Sequence, residues 1–122
     1  MSTTQNRVDE LNRWIQEGRI LDAMNEFYAE DVVMSENDQP VHEGFAANLE
    51  RERDFVENTE WHGLELKESV VNGDTAMTRW WMDFTNANYG QRVAFHQVAF
   101  QQWRDGKIVE ERFYYTPNPV ES

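Results

Sequence analysis

Apolar residues recur at spacings of three and four near the start of the chain, at Val8, Leu11, Trp14 and Ile15. That spacing places them on one face of a helix, which Thr3 or Thr4 can cap and Gly18 stops. A second, shorter stripe holds Ile20, Leu21, Met24, Phe27 and Tyr28 and predicts a second helix, closed by Asp31. Val32 to Asn37 then reads as a strand, apolar at its start and polar at its end. After Pro40 and Gly44, the stretch FAANLERERDFVEN predicts a third helix with Phe45, Leu49, Phe55 and Val56 buried and the ERERD charges in water.

From about Thr59 the period changes from 3.6 to 2. EWHGLELKESVV, TAMTRWWMDFTNAN, QRVAFHQVAFQQW and IVEERFYYT read as strands. Turns at Asn72-Gly73-Asp74, near Tyr89-Gly90 and at Arg104-Asp105-Gly106-Lys107 separate them, and Asn-Gly and Asp-Gly are strong hairpin signals. Helices first and then a meander of long antiparallel strands is an α+β pattern, with the helices packed on one face of a curved sheet. The 122 residues leave room for a single domain, expected over 1–122.

Composition sharpens this picture. Seven Phe, five Trp and four Tyr are many large rings for a small domain, and predict a ring-rich core or a cavity lined by rings. Lys and Arg number 11 against 23 Asp and Glu, a net charge of −12 that repels phosphate backbones and anionic lipids. Neither nucleic acid nor a membrane is therefore an expected partner. The lack of Cys excludes disulfides, thiolate metal sites and a Cys nucleophile. His42-Glu43 and His62 have no metal-ligand spacing, so no metal is expected. No apolar run approaches the roughly 18 residues of a membrane span. MSTTQNRVDELNRW lacks the basic-then-apolar pattern of a signal peptide, and a cytoplasmic protein is the expectation.

Two segments, FYAEDVVMSEN and WRDGKIVEERFYY, taken with the element order around them, are distinctive. From about Val8 to Pro117 the chain resembles the SnoaL-like branch of the nuclear-transport-factor-2-like superfamily. The resemblance implies a cone-shaped, cystatin-like roll with a pocket in its mouth, a fold that hosts isomerases, cyclases, dehydratases, epoxide hydrolases and non-catalytic binding domains. It places Glu36 at or beside the general base of the ketosteroid-isomerising relatives. The oxyanion-hole positions of those relatives fall near Leu11 and Ala99, both apolar. The cyclase acid–base positions fall at Ala99 and Phe113, and the epoxide-hydrolase trio at Trp80, Met82 and Phe113. Three known chemistries thus lack most of their parts.

Strand alternation sorts the candidates by face. If Ala99 and Phe113 face the pocket, so do Phe95, Gln97 and Gln101, Glu111 and Tyr115, and Trp80, Met82 and Phe84. The expected lining is Trp14, Tyr28, Met34, Trp80, Met82, Phe84, Phe113 and Tyr115, with Gln97 and Asn37 as polar groups. Such a lining suits a flat, mostly apolar ligand and needs no cofactor. Glu36 is the expected general base, since a carboxylate in an apolar pocket is disfavoured as an anion. The alternative for Glu36 and Asn37 is a solvated strand end or an Asx turn. Tyr28 and Tyr115 are candidate donors to a ligand carbonyl. Of Glu110, Glu111 and Arg112, at least two must be solvated or paired.

The opposite face carries Arg79, Trp81, Asp83, His96, Val98, Phe100, Arg112 and Tyr114. Its rings would form a sizeable exposed apolar patch, so a homodimer through Trp81, His96, Phe100 and Tyr114 is expected. Three readings of function stay open: an enzyme acting on a small apolar molecule, a carrier or sensor of one, and an assembly module.

Overall fold

In the computed structural model, which describes residues 3–117, the elements run α1 (Thr3–Gln16), α2 (Ile20–Phe27), β1 (Tyr28–Glu36), β2 (His42–Glu43), α3 (Phe45–Glu57), β3 (Thr59–Asn72), β4 (Thr75–Asn86), β5 (Gln91–Arg104) and β6 (Lys107–Tyr114). Residues 1, 2 and 118–122 of the expected domain lie outside that description. The strands form one six-stranded sheet in the order β2-β1-β6-β5-β4-β3. Consecutive pairings are antiparallel, while β1 lies parallel to β6 and thereby joins the two ends of the domain. No described helix is long and apolar enough to cross a membrane.

Several boundaries differ from those read in the sequence, the short β2 was not expected, and two of the differences move candidate residues. The second helix ends at Phe27 rather than near Asp31, because Tyr28 is already extended (φ −104°, ψ 136°) and pairs with Ile108. Tyr28 therefore opens a strand instead of continuing the helical stripe. At the other end β1 stops at Glu36, where Asn37 and Asp38 both take left-handed backbone (φ 49° and 60°). The Gln39 amide returns to the Glu36 carbonyl at 2.9 Å, closing a tight turn that Asn and Asp tolerate better than most residues. Thr4 does not act as a cap but is buried, its hydroxyl donating to Asp74 at 2.9 Å and tying α1 to the β3–β4 turn.

The helices cover one face of the sheet. Val8, Leu11, Ala23, Met24 and Phe27 pack onto Val32, Met34, Ala76, Trp103 and Ile108 to form the main core. A second cluster of Phe84, Val93 and Phe95, flanked by Phe55, Trp61 and Met82, sits under α3. Phe45, Leu49, Phe55 and Val56 are only partly buried, and the fully buried residue of α3 is Asn48. Its carboxamide donates to the carbonyls of His42 (2.9 Å) and Gly44 (2.8 Å), which fixes where α3 leaves the loop after β2. The two core clusters do not merge, and the space between them is the cavity.

Candidate functional site

The cavity encloses about 370 Å³, at the lower end of the range for small-molecule sites. Leu11, Met24 and Ala99 line one end; Phe55, Trp61 and Phe95 line the other. Arg51, Asp54, Asn88 and Tyr89 are both lining and solvent-exposed, so they mark the rim. α3, the β4–β5 turn and the ends of β1 and β6 therefore frame the mouth.

The inner wall carries one polar constellation. Glu111 on β6 is 2% exposed and pairs across the sheet with Gln101. The Gln101 amide nitrogen donates to Glu111 Oε2 at 2.8 Å, and the Trp103 indole N–H donates to Gln101 Oε1 at 3.0 Å. An indole nitrogen can only donate, so it sets the Gln101 amide with its NH₂ toward the carboxyl. The Tyr28 hydroxyl donates to Glu111 Oε1. Burial pushes the Glu111 carboxyl up to about 7, with the bonds from Tyr28 and Gln101 opposing that shift. Burial and the adjacent Glu111 raise the Tyr28 phenol well above its ordinary value, so it stays a donor.

A second carboxyl faces the same space. Glu52 of α3 lines the cavity, and among the described residues it has no hydrogen-bond or ion-pair partner. The residue is half-buried and its oxygens keep some accessible surface at the cavity, while the protein packed around it disfavours the charged form. Burial, then repulsion from Glu111 and Glu36, push it up to about 7, with Arg51 opposing. Glu52 and Glu111 thus titrate as neighbours and resist ionising together.

Glu36 lies nearer the rim. Its carboxylate takes Arg51 Nη2 at 3.1 Å and the Tyr115 hydroxyl at 2.7 Å, and its side chain is 40% exposed. Burial, with the bond to Glu36 next, pushes the Tyr115 phenol up. The Asn37 carboxamide accepts the Tyr115 backbone N–H at 2.9 Å and lies in the exposed turn. Glu36 and Asn37 end the strand for different reasons: the one points to the cavity, the other stitches β1 to the end of β6.

Of the candidates read from the sequence, Glu36, Tyr28, Met34, Trp80, Met82, Gln97, Phe113 and Tyr115 line the cavity. Three do not. Trp14 packs edge-on against Phe27 (5.2 Å between ring centres) under the Arg19 guanidinium. Phe84 is 2% exposed, enclosed by Phe55, Trp61 and Phe95 within the second core cluster. Asn37 is in the turn just described. Glu110 and Arg112 pair with each other at 2.9 Å, which leaves Glu111 as the buried member of that run.

Sequence reading passed over Glu52 and Arg51 by assigning ERERD to a solvated face. The signal was present: Phe45, Asn48, Glu52 and Phe55 follow one another at spacings of three and four, so a helix that buries Phe45 and Phe55 turns Glu52 inward as well.

Comparison with known proteins agrees with this fold. The family model described as a SnoaL-like domain matches residues 8–111. No curated protein matches the chain in sequence. A Mesorhizobium loti protein provisionally named a SnoaL-like polyketide cyclase is 29% identical, with a TM-score of 0.83 over 91% of this chain and 97% of that one. An LEH-like epoxide hydrolase of M. tuberculosis superposes with a TM-score of 0.75 at 15% identity, over 93% and 83% of the two chains. A provisionally named isomerase of Bacillus subtilis gives 0.74 at 16% identity, over 93% and 86%. At such identities the latter two speak for the fold alone.

Proposed function

Because the chain belongs to the SnoaL-like domain family, within the nuclear-transport-factor-2-like superfamily, we propose that its cavity takes up a small, mostly apolar molecule and moves a proton on it without a cofactor. Glu111 is the acid–base group in this reading. The observation that carries it is a carboxyl 2% exposed, held at both oxygens by Tyr28 and Gln101, in the wall of a mostly apolar cavity. With a pKa of about 7 it is present in both forms at neutral pH, which suits a group that must take a proton and return it. Isomerisation, cyclisation and epoxide opening, the reactions in the names of the structural neighbours, each require a proton to be given or taken.

Once Glu111 is protonated, the Tyr28 hydroxyl is free to turn toward a ligand oxygen, where it would stabilise developing negative charge. Gln97, which faces the cavity and has no side-chain partner among the described residues, can hold a second ligand oxygen. Glu36, the base expected from the sequence, here keeps Arg51 and Tyr115 in place at the mouth. The test is a turnover screen of carbonyl and epoxide compounds with wild type, Glu111→Gln and Glu36→Gln. Glu111→Gln is expected to lose about 10²-fold or more in kcat with affinity retained, and Glu36→Gln to stay within about tenfold. The reverse order would transfer the base to Glu36. Ligand binding with no turnover in any protein would make this a carrier or sensor.

The outer face of the sheet is proposed to hold a second copy of the chain. Met77 is 47% and Tyr114 38% exposed there, beside the half-buried Trp81 and Phe100. Arg79, fixed by Glu68 at 2.7 Å and by His96 Nδ1 at 2.9 Å, supplies polar groups to the same face. Sedimentation at micromolar concentration is expected to find a dimer, and Phe100→Glu a monomer. A monomeric wild type would remove the interface.

A further inference from the structure

We infer that the ligand of this cavity carries a basic nitrogen, and that its ammonium group seats against the Glu52 carboxylate. This rests on the reading of the cavity as a ligand site and adds to it the chemical class of the ligand.

The first ground is a charge imbalance. The cavity is bordered by Glu36, Glu52, Asp54 and Glu111 and by one cation, Arg51. Arg51 is already committed, with one nitrogen on Glu36 at 3.1 Å and another on Asn48 at 3.3 Å. Asp54 takes the carboxamides of Asn58 (3.2 Å) and Asn88 (3.1 Å) at the rim. Glu111 has a donor on each oxygen. Glu52 alone of these four carboxyls has no donor among the described residues, although the protein packed around it disfavours its anion.

The second ground is the lining. Tyr28, Trp61, Trp80, Phe95, Phe113 and Tyr115 present ring surface to a cation and to the apolar body that bears it. A metal ion fits poorly, since among the described residues no three His, Asp or Glu side chains are grouped to hold one. An organic ammonium needs only one carboxylate and tolerates apolar neighbours, which is what the cavity offers.

Binding would carry a linked proton. The titratable and charged groups that act on Glu52 are Glu111 from β6, Glu36 from β1 and Arg51 from its own helix. Tyr28 and Tyr89 also face it and remain neutral. In the free protein Glu52 titrates near 7. An alkylammonium titrates near 10, so it enters charged and drives a proton off the carboxyl wherever Glu52 is protonated. Affinity for an amine must therefore rise as pH rises toward 7, by about tenfold per unit for one proton released, and level off above.

Three probes of one shape and different charge test this: tryptamine, its neutral isostere tryptophol, and indole-3-propionate. Titration calorimetry at pH 7.5 is expected to rank tryptamine at least tenfold tighter than tryptophol, with indole-3-propionate weakest. The tryptamine affinity is expected to fall about tenfold per unit from pH 7 to 5.5, and the tryptophol affinity to stay level. Glu52→Gln is expected to bring tryptamine down to the level of tryptophol and abolish the pH slope. If that variant does not fold, the wild-type ranking and slope decide alone. Equal binding of tryptamine and tryptophol, or a preference retained in Glu52→Gln, overturns the inference while leaving the ligand cavity intact. Binding of none of the three overturns this inference, and a turnover screen that also fails would then remove the reading of the cavity as a ligand site.

Discussion

Phe27→Ala is expected to lower the unfolding free energy by about 3–5 kcal/mol, a large share of the roughly 5–15 kcal/mol that small domains possess. Phe27 ends α2 with no exposed surface. Its ring meets Trp14 edge-on at 5.2 Å, lies 6.4 Å from Trp103, and has the Arg7 guanidinium 4.2 Å above it. It therefore joins α1, α2 and the far end of β5 in one contact set. Alanine would leave a void among residues held by the sheet, which cannot close around it. Arg7 limits relaxation further, being anchored to the carbonyls of Gly106 and Glu26 at 3.0 Å each. Urea denaturation should show a reduced midpoint with an unchanged slope, and Phe27→Leu should recover most of the loss. A loss below about 1 kcal/mol would mean that the helices ride loosely on the sheet and that their packing does not set the cavity wall.

How far the sequence was legible depends on where its periods ran unbroken. β4 and β5 pair through twelve consecutive positions, from Thr75↔Gln102 to Asn86↔Gln91, without a shift. One correct anchor at Ala99 therefore carried Trp80, Met82, Gln97 and Gln101 to the right face. The same parity passed to Glu111 and Phe113, because the irregularity between β5 and β6 falls beyond them, between Gln102 and Trp103. Parity was not enough for Phe84. It shares the inner face with Trp80 and Met82, yet Phe55 and Trp61 close over it. Which inner residues meet empty space and which meet neighbours is a matter of volume, and no period reports volume.

The helices were read less well at their edges. Tyr28 fell on a helical stripe by spacing, but pairing with Ile108 in a parallel strand won over local periodicity. In α3 the charges of ERERD outweighed the stripe that contains Glu52. A charged residue on the buried face of a helix contradicts the usual pattern, and such a conflict between local chemistry and global fold is where function is to be sought. Glu111 posed the same conflict on a strand, one inward carboxyl between two outward charges. Both exceptions border the same cavity.

The pH dependence of stability reads out the most buried of these exceptions. Glu111 has a folded-state pKa raised from 4.5 to about 7, so between those values the folded protein binds a proton that the unfolded chain has released. The contribution to stability is therefore complete below about pH 4.5 and is lost as pH rises through 7. At 1.36 kcal/mol per unit the loss amounts to about 3 kcal/mol. Glu111→Gln should abolish it, because an amide does not titrate and fits the same partners: its oxygen can accept from Gln101, and its NH₂ can donate to Tyr28, whose hydroxyl rotates to accept. The difference in unfolding free energy between wild type and Glu111→Gln, followed by urea denaturation from pH 4.5 to 8, should shift by at least that amount against the wild type, the coupled Glu52 titration adding to it. Subtraction removes the exposed ion pairs, such as Asp31–Arg104 and Asp83–Arg92, which titrate alike in both proteins. The variant should also bring the Glu52 titration down, since Glu111 is the largest electrostatic contributor to its raised value. A flat difference, with Glu52 unmoved, would mean that the Glu111 carboxyl is solvated through the cavity, and the acid–base role would pass from it.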